Sequence, residues 1–231
     1  VFLRADSVIA YDGYDNVTLI GNVRYNDDDF DVTSDTMRRY REQERLELRG
    51  RVKVRDLTTG STLTAPAVDY FRKVPKVNEV QKVLASGGAN ATVYPKTSAS
   101  GKPVSSPYHV VADRLYQEGP DHFEAFGSAL VERDSLTVTG DSVKYYSAKE
   151  SSAYVWGAPG RVVSTAHDAG TLTGKHIRVD LAADESVKEM RAYLDVTFLR
   201  DGASITSDTL VATMHQKKLT GLSAWSRDHL S

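Results

Sequence analysis

The chain is 231 residues long, with 29 Lys and Arg against 31 Asp and Glu, a formal net charge of -2 and no cysteine. Balanced charge argues against a nucleic-acid partner, which needs a basic face to neutralise phosphates, and the missing cysteines exclude disulfides, thiol nucleophiles and cysteine-bound zinc. No run approaches the roughly 18 apolar residues that cross a bilayer as a helix.

The chain opens at Val1, already inside an alternating segment that runs to Val8, which reads as a processed or truncated start. From there on apolar residues recur at period 2 rather than 3.6, so strands are expected almost throughout. Asp35 to Glu44 and Asp184 to Ala192 have some helical character. They are read as strands or turns, because a repeated unit runs through both.

That unit has two halves. Its first strand crosses a glycine flanked at alternate positions by small or apolar residues: Val17 to Tyr25 around Gly21, Leu46 to Val54 around Gly50, Val83 to Val93 around Gly87, Phe123 to Val131 around Gly127, and Ala153 to Gly157. Met190 to Phe198 keeps the alternation and places Ala192 at the glycine position. The second strand carries a small polar residue, then Asp, then an aromatic or aliphatic residue. Its copies are Thr33 to Tyr40, Leu63 to Tyr70, Val111 to Tyr116, Val138 to Tyr145, Leu172 to Val179 and Ile205 to Val211, with Pro66 and Lys175 in place of Asp. With the partial unit Leu3 to Val8, about seven copies are present.

Alternation puts Leu19, Gly21, Val23 and Tyr25 on one face, where a row of glycines would let facing layers approach closely. The recurrent aspartates are expected to be corner residues accepting backbone N–H bonds, since an active site is rarely built seven times. Tyr94 to Tyr108, with three prolines, reads as an inserted loop.

Site chemistry is sparse. Asp27-Asp28-Asp29 with Asp31 has oxygen ligands for calcium but lacks the rest of a calcium loop, so it reads as a solvated hairpin turn between Tyr25 and Val32. The six histidines have no metal-ligand spacing, although His167 and His176 could meet across a hairpin. No nucleophile elbow and no phosphate loop occurs, and Gly87-Gly88 and Gly157 to Gly160 are read as bulges or turns. Trp156 and Trp225 could sit at a ligand mouth or at an end-to-end contact, and for Trp156, in a strand beside Gly157, ordinary packing or a half-exposed rim position is an equal reading. No catalytic residue, metal or cofactor is expected.

The patterns Leu19-Ile20-Gly21-Asn22-Val23 through Thr33-Ser34-Asp35 to Tyr40, and Leu48-Arg49-Gly50-Arg51-Val52 through Leu63-Thr64-Ala65 to Tyr70, resemble the OstA or LptA-like family of lipopolysaccharide transport proteins. That family includes periplasmic bridge proteins and the N-terminal domain of the outer-membrane translocon. Echoes from Gly127 to Tyr145, Gly157 to Val179 and Leu194 to Val211 extend the resemblance over most of the chain.

The resemblance implies an all-β fold, an elongated twisted β-jelly roll of two facing antiparallel sheets, as a single domain over residues 1–231 with the loop at about 94–108 inserted. It implies a non-enzymatic role: binding lipopolysaccharide or a similar acylated lipid in an apolar groove between the sheets and passing it across the periplasm. The lining would come from Leu19, Val23, Leu48, Val52, Ala89, Phe123, Ala129, Val155, Leu194, Val196 and Phe198. Arg24 or Lys53 at the groove mouth would meet lipid phosphates. Implied partners are the glycolipid, other β-jelly-roll transport proteins joined end to end by strand pairing, and further copies of the chain head to tail, with docking edges at Phe2 to Val8 and Leu219 to Trp225. Either membrane would be reached through partners or through segments outside this sequence. The alternative is a structural or adhesive cell-surface β-repeat protein whose core is filled.

Overall fold

The computed structural model describes residues 2–94, 106–147, 151–165, 170–183, 186–216 and 218–226. The expected inserted loop falls largely on 95–105, outside the described residues. Apart from one 3-10 turn at Asp12–Tyr14, the regular structure there is all strand: β1 (Phe2–Arg4), β2 (Ser7–Tyr11), β3 (Asn16–Asn26), β4 (Phe30–Tyr40), β5 (Arg45–Asp56), β6 (Thr62–Phe71), β7 (Lys82–Val93), β8 (Tyr108–Glu118), β9 (His122–Arg133), β10 (Leu136–Tyr146), β11 (Ser152–Ser164), β12 (Gly170–Leu181), β13 (Val187–Arg200), β14 (Ala203–His215) and β15 (Lys218–Trp225). Over their described residues, the two stretches with helical character are strand and turn. Every first and second strand of the sequence repeat is present as a separate strand.

The chain divides into two compact units, Val1–Lys96 with Pro107–Phe123, and Thr97–Ser106 with Glu124–Ser231. The division falls inside β9 rather than at the loop. In the first unit β1 and β2 lie end to end along β3, and β4 to β8 follow in hydrogen-bonded order. In the second unit β9 to β15 follow in the same sequential order. The pairing is antiparallel, as successive strands joined by hairpins require. Each unit is one ladder of strands and not two separate sheets.

The layers arise because each long strand bends. Between β3 and β4 the register jumps from Ile20↔Thr36 to Val23↔Ser34, and between β5 and β6 from Arg49↔Ala67 to Val52↔Ala65. At these points the glycine strand holds two consecutive residues at positive φ: Gly21 and Asn22, Gly50 and Arg51, Gly87 and Gly88, Gly127 and Ser128. This is a bulge repeated from strand to strand, and a bulge bends and twists its strand. In the first unit it separates a first arm (β2, and Asn16 to Ile20 of β3 with its neighbours) from a second arm (β1, and Val23 to Asn26 with its neighbours). The two arms close over one another. Phe30 and Tyr70 stand opposite Asp56 and Leu46 of β5, which ten residues of extended strand would hold about 33 Å apart, yet their rings meet edge to face at 5.6 Å. In the second unit Met190 and Phe198, eight residues apart on β13, line one small recess.

The bend changes two sequence expectations. Leu19 and Val23 do point inward together, but Gly21 between them does not share their face: a Cβ there would collide with the Asp6 carboxylate, and one on Gly50 with the Asp35 carboxylate. The glycines are thus required by conformation and by this contact. Two aspartates of the repeat, Asp6 and Asp35, expected to hold backbone N–H groups, instead accept side-chain bonds from the residue after the glycine. Asn22 donates to Asp6 at 2.8 Å and Arg51 to Asp35 at 2.5 Å. Pro66, in the Asp position, packs against Gly87. Backbone N–H groups are held by hairpin-tip aspartates: Asp27 accepts from Asp29 and Phe30 at 2.9 and 2.6 Å, and Asp56 from Thr58 and Thr59 at 2.8 Å. The acidic run is the hairpin turn expected of it.

In β13 the positive-φ pair is Leu194 and Asp195, at φ 64 and 55, so Leu194 and not Ala192 is the glycine equivalent. The contact across this bend is the repeat's ion pair with its signs exchanged, Lys175 to Asp195 at 2.8 Å. Lys175 is therefore a substitution matched by Asp195.

Replacing Gly50 by Ala forces an L residue to φ +71 and displaces Asp35. It is expected to cost about 2–3 kcal/mol in urea unfolding, against about 1 kcal/mol for Gly202→Ala, where φ is +80 and nothing lies within 4 Å.

Candidate functional site

The face enclosed by the arms is aliphatic from strand to strand. Of the eleven residues expected to line it, Leu19, Val23, Leu48, Val52, Ala89, Ala129, Val155, Val196 and Phe198 are buried, and Phe123, at the start of β9, is half-buried. Leu194 is 49% exposed, because it occupies the bend and points away from the interior. It is not a lining residue. Ala192, fully buried, takes the inward place beside the bend.

The sequence reading missed the even strands' share of the interior. Inward residues there are three apart across the bend, a small one followed by an aliphatic: Ser34 and Met37, Ala65 and Val68, Ala112 and Leu115, Gly140 and Val143, Gly174 and Ile177. On the glycine strands they are four apart, as in Leu48 and Val52 or Ala125 and Ala129. A spacing of three does not occur on a straight strand, where same-face residues lie an even number apart, so strict alternation lost the even strands' pattern. The small residues are needed where the wall is tightest: a Cβ on Gly140 would stand 2.6 Å from the Trp156 carbonyl oxygen and 2.9 Å from Val155 Cγ1.

The interior is closed. In the first unit Phe30 on Tyr70 seals the arm tips, with Tyr25 donating to Asp27 at 2.7 Å beside them. Burial pushes the Tyr70 hydroxyl up to about 12. In the second unit Met190, Phe198, Met214 and Leu219 close on a recess of about 20 Å³, about one water's space. Among the described residues strands pair only with their neighbours in the ladder. Side chains, not main-chain hydrogen bonds, hold arm to arm.

The outward faces differ sharply. On the first arm of the first unit Asp69 accepts from Arg45 at 2.7 Å and Arg49 at 3.2 Å, and Glu47 takes Arg45 at 3.4 Å and Arg38 at 3.7 Å. Arg45 also lies over the Tyr40 and Phe71 rings. In the second unit Lys144 pairs with Glu124 at 3.2 Å and lies over Phe126 and Trp156, Tyr154 stacks on Trp156, and Arg178 covers Tyr154 while holding Asp180 at 2.7 Å. Trp156 is thus a packing residue of the outer face, and Trp225 is exposed. Arg24 and Lys53, expected at a groove mouth, lie on the outer face of the second arm.

No group of three or more His, Asp or Glu that could hold a metal occurs among the described residues. His109 meets Thr92 at 3.3 Å and His122 stands 3.7 Å from Glu118, while His167, which could meet His176 across a hairpin, lies outside the described residues. Both terminal segments are strands at ladder ends: β1 and β2 beside β3, and β15 beside Thr209 to His215 of β14.

No family model matches the chain, and no curated protein matches it.

The Asp27 carboxyl is pushed up by burial, but the bonds from Tyr25, Phe30 and Asp29 outweigh this and hold it below its ordinary value. A carboxyl lowered on folding stabilises the fold above its unfolded pKa and loses that contribution as pH falls through its folded pKa. Asp27→Asn is therefore expected to cost about 1 kcal/mol at pH 7, a difference that shrinks towards zero as thermal unfolding is repeated below about pH 4.

Proposed function

We propose that the chain is a non-catalytic module of the OstA or LptA-like kind, which holds lipopolysaccharide or a similar acylated lipid between its arms and passes it across the periplasm. The observation that carries this reading is the combination of a methyl-lined interior with a seam made of side chains. Arms joined only by contacts such as Phe30 on Tyr70 can part without breaking a ladder hydrogen bond. Each acyl methylene entering between them gains about 0.8 kcal/mol. A jelly roll with facing layers is the arrangement in which such bent ladders would do this. Partners of the same build would meet the ladder ends by strand pairing, as unpaired edges allow.

A second reading, a structural or adhesive β-repeat protein with a filled core, is favoured by the closed interior, where Leu48 is 2% and Val52 1% exposed. The two separate in one experiment. A photocrosslinking amino acid at Leu48 or Val196 is expected to form adducts with added lipopolysaccharide, and one at the exposed Lys188 is not. No adducts from the interior positions, or equal adducts from Lys188, would favour the filled core.

A further inference from the structure

On the outer face of the second arm in the first unit, among the described residues, Arg4, Arg24, Lys53 and Arg55 make no ion pair with the nearest carboxylates, Asp31 in the strip and Asp28 and Asp29 at the hairpin tip beyond it. Following the register across the ladder, one row of side chains reads Arg4, Arg24, Thr33, Lys53, Thr64 and Asn90. The adjacent row reads Phe2, Asn26, Asp31, Arg55, Thr62 and Thr92. Asp31 is the one acid in these two rows, facing four cations. Arg4 and Arg24 stand directly opposite one another, an arrangement that repels and is destabilising in a sheet pair.

The first arm of the same ladder is the internal control. Its arginines Arg38, Arg45 and Arg49 are each tied to Glu47 or Asp69. The chain can neutralise an outer face and does so on one arm. On the other it leaves a positive strip beside an exposed apolar side chain at the same edge: Phe2 is 57% exposed and shares the outer face with Arg4.

We infer that this strip is a seat for the surface of an anionic lipid bilayer. Cations set in a flat row attract a layer of lipid phosphates, and apolar side chains at their border enter the headgroup boundary, the combination that defines interfacial binding. The Arg4 and Arg24 repulsion is relieved when a phosphate sits between them. A soluble acidic partner would answer the charge but would leave Phe2 without a counterpart. The inference does not rest on the lipid-carrying interior: it concerns the outside of one arm, and either can fail alone.

The test uses the full chain and vesicle co-sedimentation. Binding is expected to equal parts phosphatidylglycerol and phosphatidylcholine, to fall steeply with added salt, and to be absent on phosphatidylcholine alone. Each cation contributes about a five-fold change in partitioning, so Arg24→Glu with Lys53→Glu is expected to abolish measurable sedimentation. Arg161→Glu, on an exposed position of β11, should leave it unchanged. Phe2→Ser should weaken binding at constant charge, which a purely ionic contact with a soluble anion would not show. Circular dichroism and thermal unfolding establish that each variant is folded. Equal binding to neutral vesicles, no binding to anionic ones, or the same loss from Arg161→Glu would overturn the inference.

Discussion

Two consecutive residues in the left-handed region, placed in the middle of a strand, are the constraint on which this structure depends. A row of long straight strands would make a flat single layer with both faces wet. Such a sheet would leave no way to bury Leu19, Leu48 or Val155. The step at Gly21-Asn22, Gly50-Arg51 and their counterparts adds a residue to one strand of each pair and turns the ladder over on itself. One polypeptide device, copied along the chain, thereby creates an inside and an outside.

The division of labour among residues follows from that step. Glycine or a tolerated substitute supplies the conformation, and the next residue reaches across to the Asp position of the preceding strand. Small side chains before that position let the wall close, and aliphatic ones on either side fill the interior. The exchanged pair Lys175 and Asp195, beside Asn22 on Asp6, shows that the contact needs a donor facing a carboxylate more than it needs aspartate on a fixed strand. Pro66 on Gly87 shows that packing can replace charge altogether. Function in the proposed sense then belongs to whichever surfaces the bends leave over: the methyl-lined interior and the outer faces of the arms.

Much of this was legible in the sequence. The repeat, its strand content, the hairpin turn at Asp27 to Asp29 and most interior residues of the glycine strands follow from alternation and from glycine placement. The bend itself was not, because a bulge leaves each half looking like an ordinary strand, while it moves the inward residues of the even strands to a spacing of three and turns outward the residue between two inward ones on the glycine strands. Leu194 was misassigned for that reason: alternation ran straight through Ala192, while the backbone bends two residues later. The even strands' interior went unseen because Ser34, Ala65 and Gly140 look like turn residues until a facing arm is known. The partners of the repeat's aspartates were likewise out of reach, since Asp35 and Arg51 meet only once the strand between them has turned back.

Leu194 also provides the most direct test of the account. Leu194→Gly and Ala192→Gly should be compared by equilibrium urea unfolding. If the bend lies at Leu194-Asp195, the first relieves an L residue at φ 64 and is expected to leave stability within about 1 kcal/mol of the parent or to raise it. The second removes a fully buried methyl from a regular strand and is expected to cost about 1 kcal/mol or more. The reverse order, with Ala192→Gly tolerated and Leu194→Gly strongly destabilising, would contradict a ladder bent by paired left-handed residues.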